Sequence, residues 1–222
     1  MTRQTSTMLE KVRYIAVEGP IGAGKTSLAQ RLATYLPSAK PVFERPQDNP
    51  FLARFYQHPE RWALPAQLSF LFQRFEQLAA LGREGMGENQ CIVADFMLER
   101  DPLFARLNLA PDELALYEKI YAAMKPPSLF VPDLVIYLQA PVTALAERVY
   151  KRGIDAERRI TESYLEKVAK HYADFFFRYE ASPLFAVDAA VLNPVDNDDD
   201  FKLLVTRLEE MRGYREFFGY AG

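Results

Sequence analysis

Eight residues near the start of the chain, Gly19-Pro20-Ile21-Gly22-Ala23-Gly24-Lys25-Thr26, restrict the fold more than any other stretch. They satisfy G-x-x-x-x-G-K-[ST], and their flanks agree with that motif. Before them, Tyr14-Ile15-Ala16-Val17 is a short apolar run closed by Glu18, the pattern of a buried strand. After them, Leu28, Leu32, Tyr35 and Leu36 recur at helical spacing until Pro37. Strand, glycine-rich turn and helix in that order make a cradle for phosphate. Glycines let backbone N–H groups curl round phosphate oxygens, and the helix N-terminus adds partial positive charge. Gly19, Gly22, Ala23, Gly24 and Ser27 are expected to form the cradle. Lys25 brings a point charge to the terminal phosphates, and the Thr26 hydroxyl is placed for Mg²⁺. The motif predicts a nucleoside triphosphate site.

Further apolar runs predict strands at Pro41–Glu44, Cys91–Ala94 ending at Asp95, Leu134–Leu138, and Leu184–Asp188. Between them lie helical patterns. One runs from about Arg61 to Leu81 with stops at Gly82, Gly85 and Gly87. A helical pair follows Asp95, its second member opening at Pro111 and ending at Pro126 and Pro127. Later helices open at Pro141 and Thr161, and an acidic loop, Asp196–Asp200, leads into a terminal amphipathic helix. Strands alternating with helices, with no linker and no repeat, predict an α/β fold with a mainly parallel sheet, of five strands, in a single domain over 1–222.

Composition narrows the function. One cysteine and two histidines exclude a disulfide within the chain and make a Cys- or His-built metal centre improbable. A net charge of −3 argues against binding a nucleic-acid polymer. No signal-like start or stretch approaching the ~20 apolar residues of a membrane span is visible, so a cytoplasmic, reducing setting is expected. The basic residues gather around Lys25 and Arg148–Arg159.

The cradle alone does not separate hydrolysis, transport, signalling and transfer. The chain has no Asn-Lys-x-Asp guanine-reading motif and no strand ending in paired acids, which favours transfer to a small acceptor. Glu44, at a strand end, is a carboxylate able to take a proton from an attacking hydroxyl. Taken by itself it reads rather as a solvated strand-end residue.

Several separated stretches in one order resemble the deoxynucleoside kinase family, above all the bacterial deoxyadenosine, deoxyguanosine and deoxycytidine kinases. They are Ile15–Gly19 with the phosphate loop, Glu44 with Asp48-Asn49-Pro50-Phe51-Leu52, Phe55-Tyr56, Pro59–Gln67, Asp95, Leu134–Gln139 with Pro141, and Arg148–Glu157. The resemblance implies a P-loop kinase fold, ATP as phosphate donor, Mg²⁺, and a nucleoside substrate phosphorylated at its 5′-hydroxyl. It also implies a homodimer, for which the Trp62–Leu81 helix offers an apolar face. Glu44 matches the family's general base, Tyr56 and Glu157 the partners of the sugar 3′-hydroxyl, and Gln67 the reader of the base edge. Arg74 and Asp101 match a charged pair around the base, which disfavours thymidine. Phe70 and Phe104 are placed nearest the base. Arg148 and Arg152 match the arginines of a lid at about 148–160, and Asp95 an acid that organises Mg²⁺.

Two departures stand out. Ile154 lies where relatives often carry another lid arginine; Arg158 and Arg159 are candidates to compensate. Phe96 replaces the arginine of an acid-Arg-Ser triplet, so either Arg100, one turn on, reaches the site or that cation is absent. Two rivals to a deoxynucleoside kinase remain: a nucleoside monophosphate kinase, and a non-catalytic nucleotide-binding assembly subunit.

Overall fold

The computed structural model describes residues 7–84, 90–124 and 131–219. Strands stand where the apolar runs place them: β1 (Tyr14–Glu18), β2 (Ala39–Val42), β3 (Cys91–Ala94), β4 (Leu134–Gln139) and β5 (Leu184–Asp188). The helices are α1 (Met8–Lys11), α2 (Lys25–Tyr35), α3 (Leu52–Gln57), α4 (Pro59–Glu84), α5 (Asp101–Asn108), α6 (Pro111–Met124), α7 (Val142–Arg152), α8 (Glu162–Phe177) and α9 (Asp198–Glu210). The expected five strands become six, because β6 (Arg215–Phe218) follows α9. Its Arg-Glu-Phe-Phe sequence alternates exposed and half-buried residues, as an edge strand does, and carries no apolar run to announce it.

The order β2-β3-β1-β4-β5-β6 is parallel throughout. Every residue of β1 is buried, and its side chains alternate between two cores. Ile15 and Val17 join Leu28, Leu32, Ile136 and Leu204 on one face. Tyr14 and Ala16 join Leu71, Phe96, Tyr117, Tyr172 and Phe176 on the other. Helices on both faces explain why the central strands read as continuous hydrophobic runs. The chain leaves β1 toward β2 on one side and later fills β4 on the other. That puts a topological switch, where such sheets bind ligands, at the carboxyl end of β1.

Local expectations are corrected in three places. β2 ends at Val42, paired with Ala94, so Phe43 and Glu44 lie beyond the strand. α4 runs through Gly82 to Glu84, so Gly82 does not stop it; the stops at Gly85, Gly87, Pro126 and Pro127 lie outside the described residues. Asp198, Asp199 and Asp200 are not loop but the first turn of α9, where Asn197 caps two N–H groups and the acids face the positive helix end.

Candidate active site

Glu18, Glu44 and Asp95 end or follow β1, β2 and β3, neighbours at the switch. The phosphate loop leaves β1 with Gly22 at φ 85°, and Gly24 at φ 94° is the N-cap of α2. A Cβ on Gly22 would come within 2.6 Å of the Leu145 carbonyl oxygen, so only glycine fits that turn. Lys25 folds back to donate to the Pro20 carbonyl at 3.0 Å, and burial beside Arg100 lowers its ammonium to about 8.

Asp95 joins the loop to Glu44. One carboxylate oxygen accepts from the Thr26 hydroxyl at 2.5 Å; the other accepts from the Glu44 N–H at 2.7 Å. Burial raises the Asp95 carboxyl above its ordinary value. Among the described residues no cluster of three or more His, Cys, Asp or Glu side chains could hold a metal ion. A hydroxyl and a carboxylate in contact beside a phosphate cradle are hard oxygen donors that suit Mg²⁺ completed by phosphate oxygens.

Inward from Glu44 lies a cavity walled by α3, α4 and α5. Glu44, Tyr56, Gln67, Phe70, Arg74, Asp95, Phe104 and Glu157 all line it, as do Lys25, Thr26 and Arg152. Gln67 and Arg74, seven residues apart on α4, share one helix face. Arg74 donates to both Glu44 and Asp101. Asp101 is fully buried behind Arg74 and Gln67 and is not part of the lining; it also accepts from Tyr117. Both bonds from the Gln67 amide nitrogen go to Asp101, at 2.7 and 3.1 Å, which leaves its carbonyl oxygen as the acceptor for a ligand. Burial alone would raise the Glu44 carboxyl, but Arg100 and Arg74 outweigh it and hold it at about 2. Tyr56 and Tyr164 meet edge to face in the wall of the cavity, which Glu157 also lines.

The rest of the predicted residues fall around a second, outer groove. Gly22, Ala23, Gly24, Ser27, Arg148, Lys151 and Arg152 line it, facing Asn193–Asp196. Arg148 donates to the Ala189 carbonyl at 2.6 Å, and Arg152 donates to Glu157 at 2.5 Å, so Arg152 stands between the two spaces. Gly19 supports the loop from the end of β1. Ile154 is exposed, Arg158 pairs with Asp155 in solvent, and Arg159 is exposed; neither arginine lines the cavity or the groove. Phe55 lines the inner cavity, whereas Phe51 lies outside it, stacked on Trp62.

Phe96 is fully buried in the core, and Arg100 does reach the site, donating to Glu44 Oε1 at 2.5 Å. Sequence reasoning missed Glu18, Asn108, Tyr117 and Tyr164. Glu18 had a signal, an acid ending an otherwise apolar strand; the other three sit on unremarkable helix positions and had none.

The deoxynucleoside kinase family model matches residues 15–211. The chain belongs to the deoxynucleoside kinase family. Deoxyguanosine kinase of Bacillus subtilis (strain 168) is 33% identical over 202 residues, 89% of this chain and 97% of that protein. Deoxyadenosine/deoxycytidine kinase of the same organism is 26% identical over 207 residues, 90% and 93%. Among solved structures, deoxyadenosine kinase from M. mycoides with its products dCMP and a flexible dCDP superposes with a TM-score of 0.75. It is 26% identical, covering 89% of this chain and all of that one.

Proposed function

We propose that this deoxynucleoside kinase transfers the terminal phosphoryl group of ATP to the 5′-hydroxyl of a deoxynucleoside, a purine deoxynucleoside or deoxycytidine ahead of thymidine, in nucleotide salvage. The observation that carries the proposal is the Thr26–Asp95–Glu44 linkage, which sets a phosphate cradle and a half-buried carboxylate on opposite sides of one residue. Glu44 takes the proton of the 5′-hydroxyl as the new bond forms. Lys25, with Arg148 and Arg152 from a lid over 148–160, neutralises charge on the moving group. Tyr56 and Glu157 hold the sugar; Gln67, Arg74 and Asp101 select the base between Phe70 and Phe104. Thr26 and Asp95 would hold Mg²⁺, which supplies charge neutralisation on the phosphates when bound.

A monophosphate kinase would need a free cation for the acceptor's phosphate. The two arginines deep in the inner cavity, Arg74 and Arg100, are instead paired with carboxylates. An assembly subunit would have no use for a half-buried carboxylate, held by two arginines, poised beside the cradle. The chain acts as one domain and needs no nucleic-acid polymer. A cytoplasmic setting fits the free, buried thiol of Cys91. None of the described helices is long and apolar enough to cross a membrane. Two copies pair through the outer face of α4, where Phe72 is 49% exposed; light scattering should return twice the chain mass.

The test is turnover with Mg-ATP and each deoxynucleoside, reading the monophosphates. Product is expected from deoxyguanosine, deoxyadenosine or deoxycytidine. Product only from a monophosphate substrate, or ATP binding with no product at all, would overturn the proposal.

A further inference from the structure

Glu18 is a fully buried carboxylate that the roles above leave unused. A carboxylate out of water is costly unless its lone pairs are met, so its partners show what it is there to hold. Oε1 accepts from the Met97 N–H at 2.9 Å. Oε2 accepts from the Tyr172 hydroxyl at 3.2 Å and from the Gly19 N–H at 3.3 Å, and lies 3.7 Å from Arg100 Nη1. Of these partners only Arg100 lines the inner cavity.

Glu44 sits past the end of β2, with its backbone N–H bonded to Asp95. The direction of its carboxylate is therefore left to its side-chain partners, Arg74 and Arg100, which converge on Oε1. Arg74 is shared with Asp101, buried behind the cavity wall. Arg100 is shared with Glu18, at the root of the phosphate loop. The guanidinium also lies over the Phe104 ring, 5.7 Å from its centroid.

We propose that Glu18 and Arg100 are a pair of positioning residues. Glu18 holds the guanidinium, and the guanidinium orients Glu44 so that Oε2 meets the 5′-hydroxyl. The pair ties the direction of the base to the strand that ends in the phosphate cradle. This deepens the phosphoryl-transfer reading and rests on it. A misorientation of about 1 Å costs roughly 10²-fold in such a reaction.

The experiment compares wild type with Arg100→Met, Arg100→Lys, Glu18→Gln and Glu18→Gln/Arg100→Met. Arg100→Met should lose about 10²-fold in kcat, with KM for nucleoside and ATP within about threefold. Arg100→Lys should recover part of it. Glu18→Gln should lose roughly tenfold, and the double variant should be no slower than Arg100→Met, because Glu18 acts through Arg100. Independent, multiplying losses, or a rise in KM with kcat intact, would overturn the pair. If Arg100→Met fails to fold, Arg100→Lys and Glu18→Gln carry the same comparison: neither slowed in kcat would overturn it. Absence of turnover in wild type would instead sink the phosphoryl-transfer reading. Calorimetry with a deoxynucleoside and its 5′-deoxy counterpart still reads the pair: losing the 5′-hydroxyl should weaken binding to wild type more than to Glu18→Gln. Equal weakening would overturn the pair.

Discussion

The inner cavity and the outer groove are built from different material. The inner cavity is made of side chains: buried Gln67 and Arg74 bond to Asp101 behind them, and buried Arg100 meets Arg74 on the Glu44 carboxylate. The outer groove is made of backbone, a glycine turn at the root of a helix, with arginines at its rim; the Arg152 side chain is 44% exposed. The contrast fits the roles proposed for the two spaces. A triphosphate looks the same to any cradle of N–H groups, whereas a base must be told from other bases by fixed, directional partners. Side chains therefore matter inside, and chain path matters outside.

Changes to the inner cavity should be the most damaging. Glu44→Gln keeps the shape and removes the proton acceptor, so turnover should fall by roughly 10²–10⁴-fold with ATP affinity nearly unchanged; near-normal turnover would remove Glu44 from its role. Arg74→Met with Asp101→Ala should move the ranking of substrates toward thymidine by about tenfold, read from kcat/KM across the panel. Arg74→Met alone leaves Asp101 buried without its cation, and the melting temperature should drop by an amount equivalent to ~3–5 kcal/mol. An unchanged ranking would mean that the inner side chains do not read the base.

Gly22→Ala probes the outer groove through its backbone. Strain of order 1–3 kcal/mol at a positive φ, with a Cβ forced onto the Leu145 carbonyl, should weaken ATP binding about tenfold or more. Removing a rim side chain should do least. Arg148→Ala is expected to raise KM for ATP and to lower kcat each only a few-fold, with nucleoside KM unchanged, in the same steady-state assay. If Arg148→Ala proved as damaging as Glu44→Gln, the contrast between the two spaces would fail.

Legibility in the sequence divides along the same line. The outer groove was readable because backbone cradles need glycines at fixed offsets, and Gly19, Gly22 and Gly24 declare themselves. Among inner residues, Gln67 and Arg74 could be placed on one face of α4 from spacing alone. Their shared partner behind the cavity wall could not, since Asp101 meets them only once α5 packs on α4. Spacing did not decide between Phe96 and Arg100 either, because the short turn at Leu98–Arg100 swings the guanidinium back toward β2. The edge strand β6 escaped for a different reason. Its register is supplied by β5, not by its own composition.

Asp95 has a consequence for how such a protein can change. Its two oxygens hold Thr26 on one side and the Glu44 backbone on the other, so the width of one carboxyl group is the gauge between the two proposed substrate sites. A methylene added there, as Glu, would push the gauge apart and carry with it the carboxylate proposed to hold Mg²⁺ beside Thr26. Preferences for a base or a triphosphate can therefore drift independently, in separate compartments, while the distance across which they react stays pinned to a single residue at the end of β3.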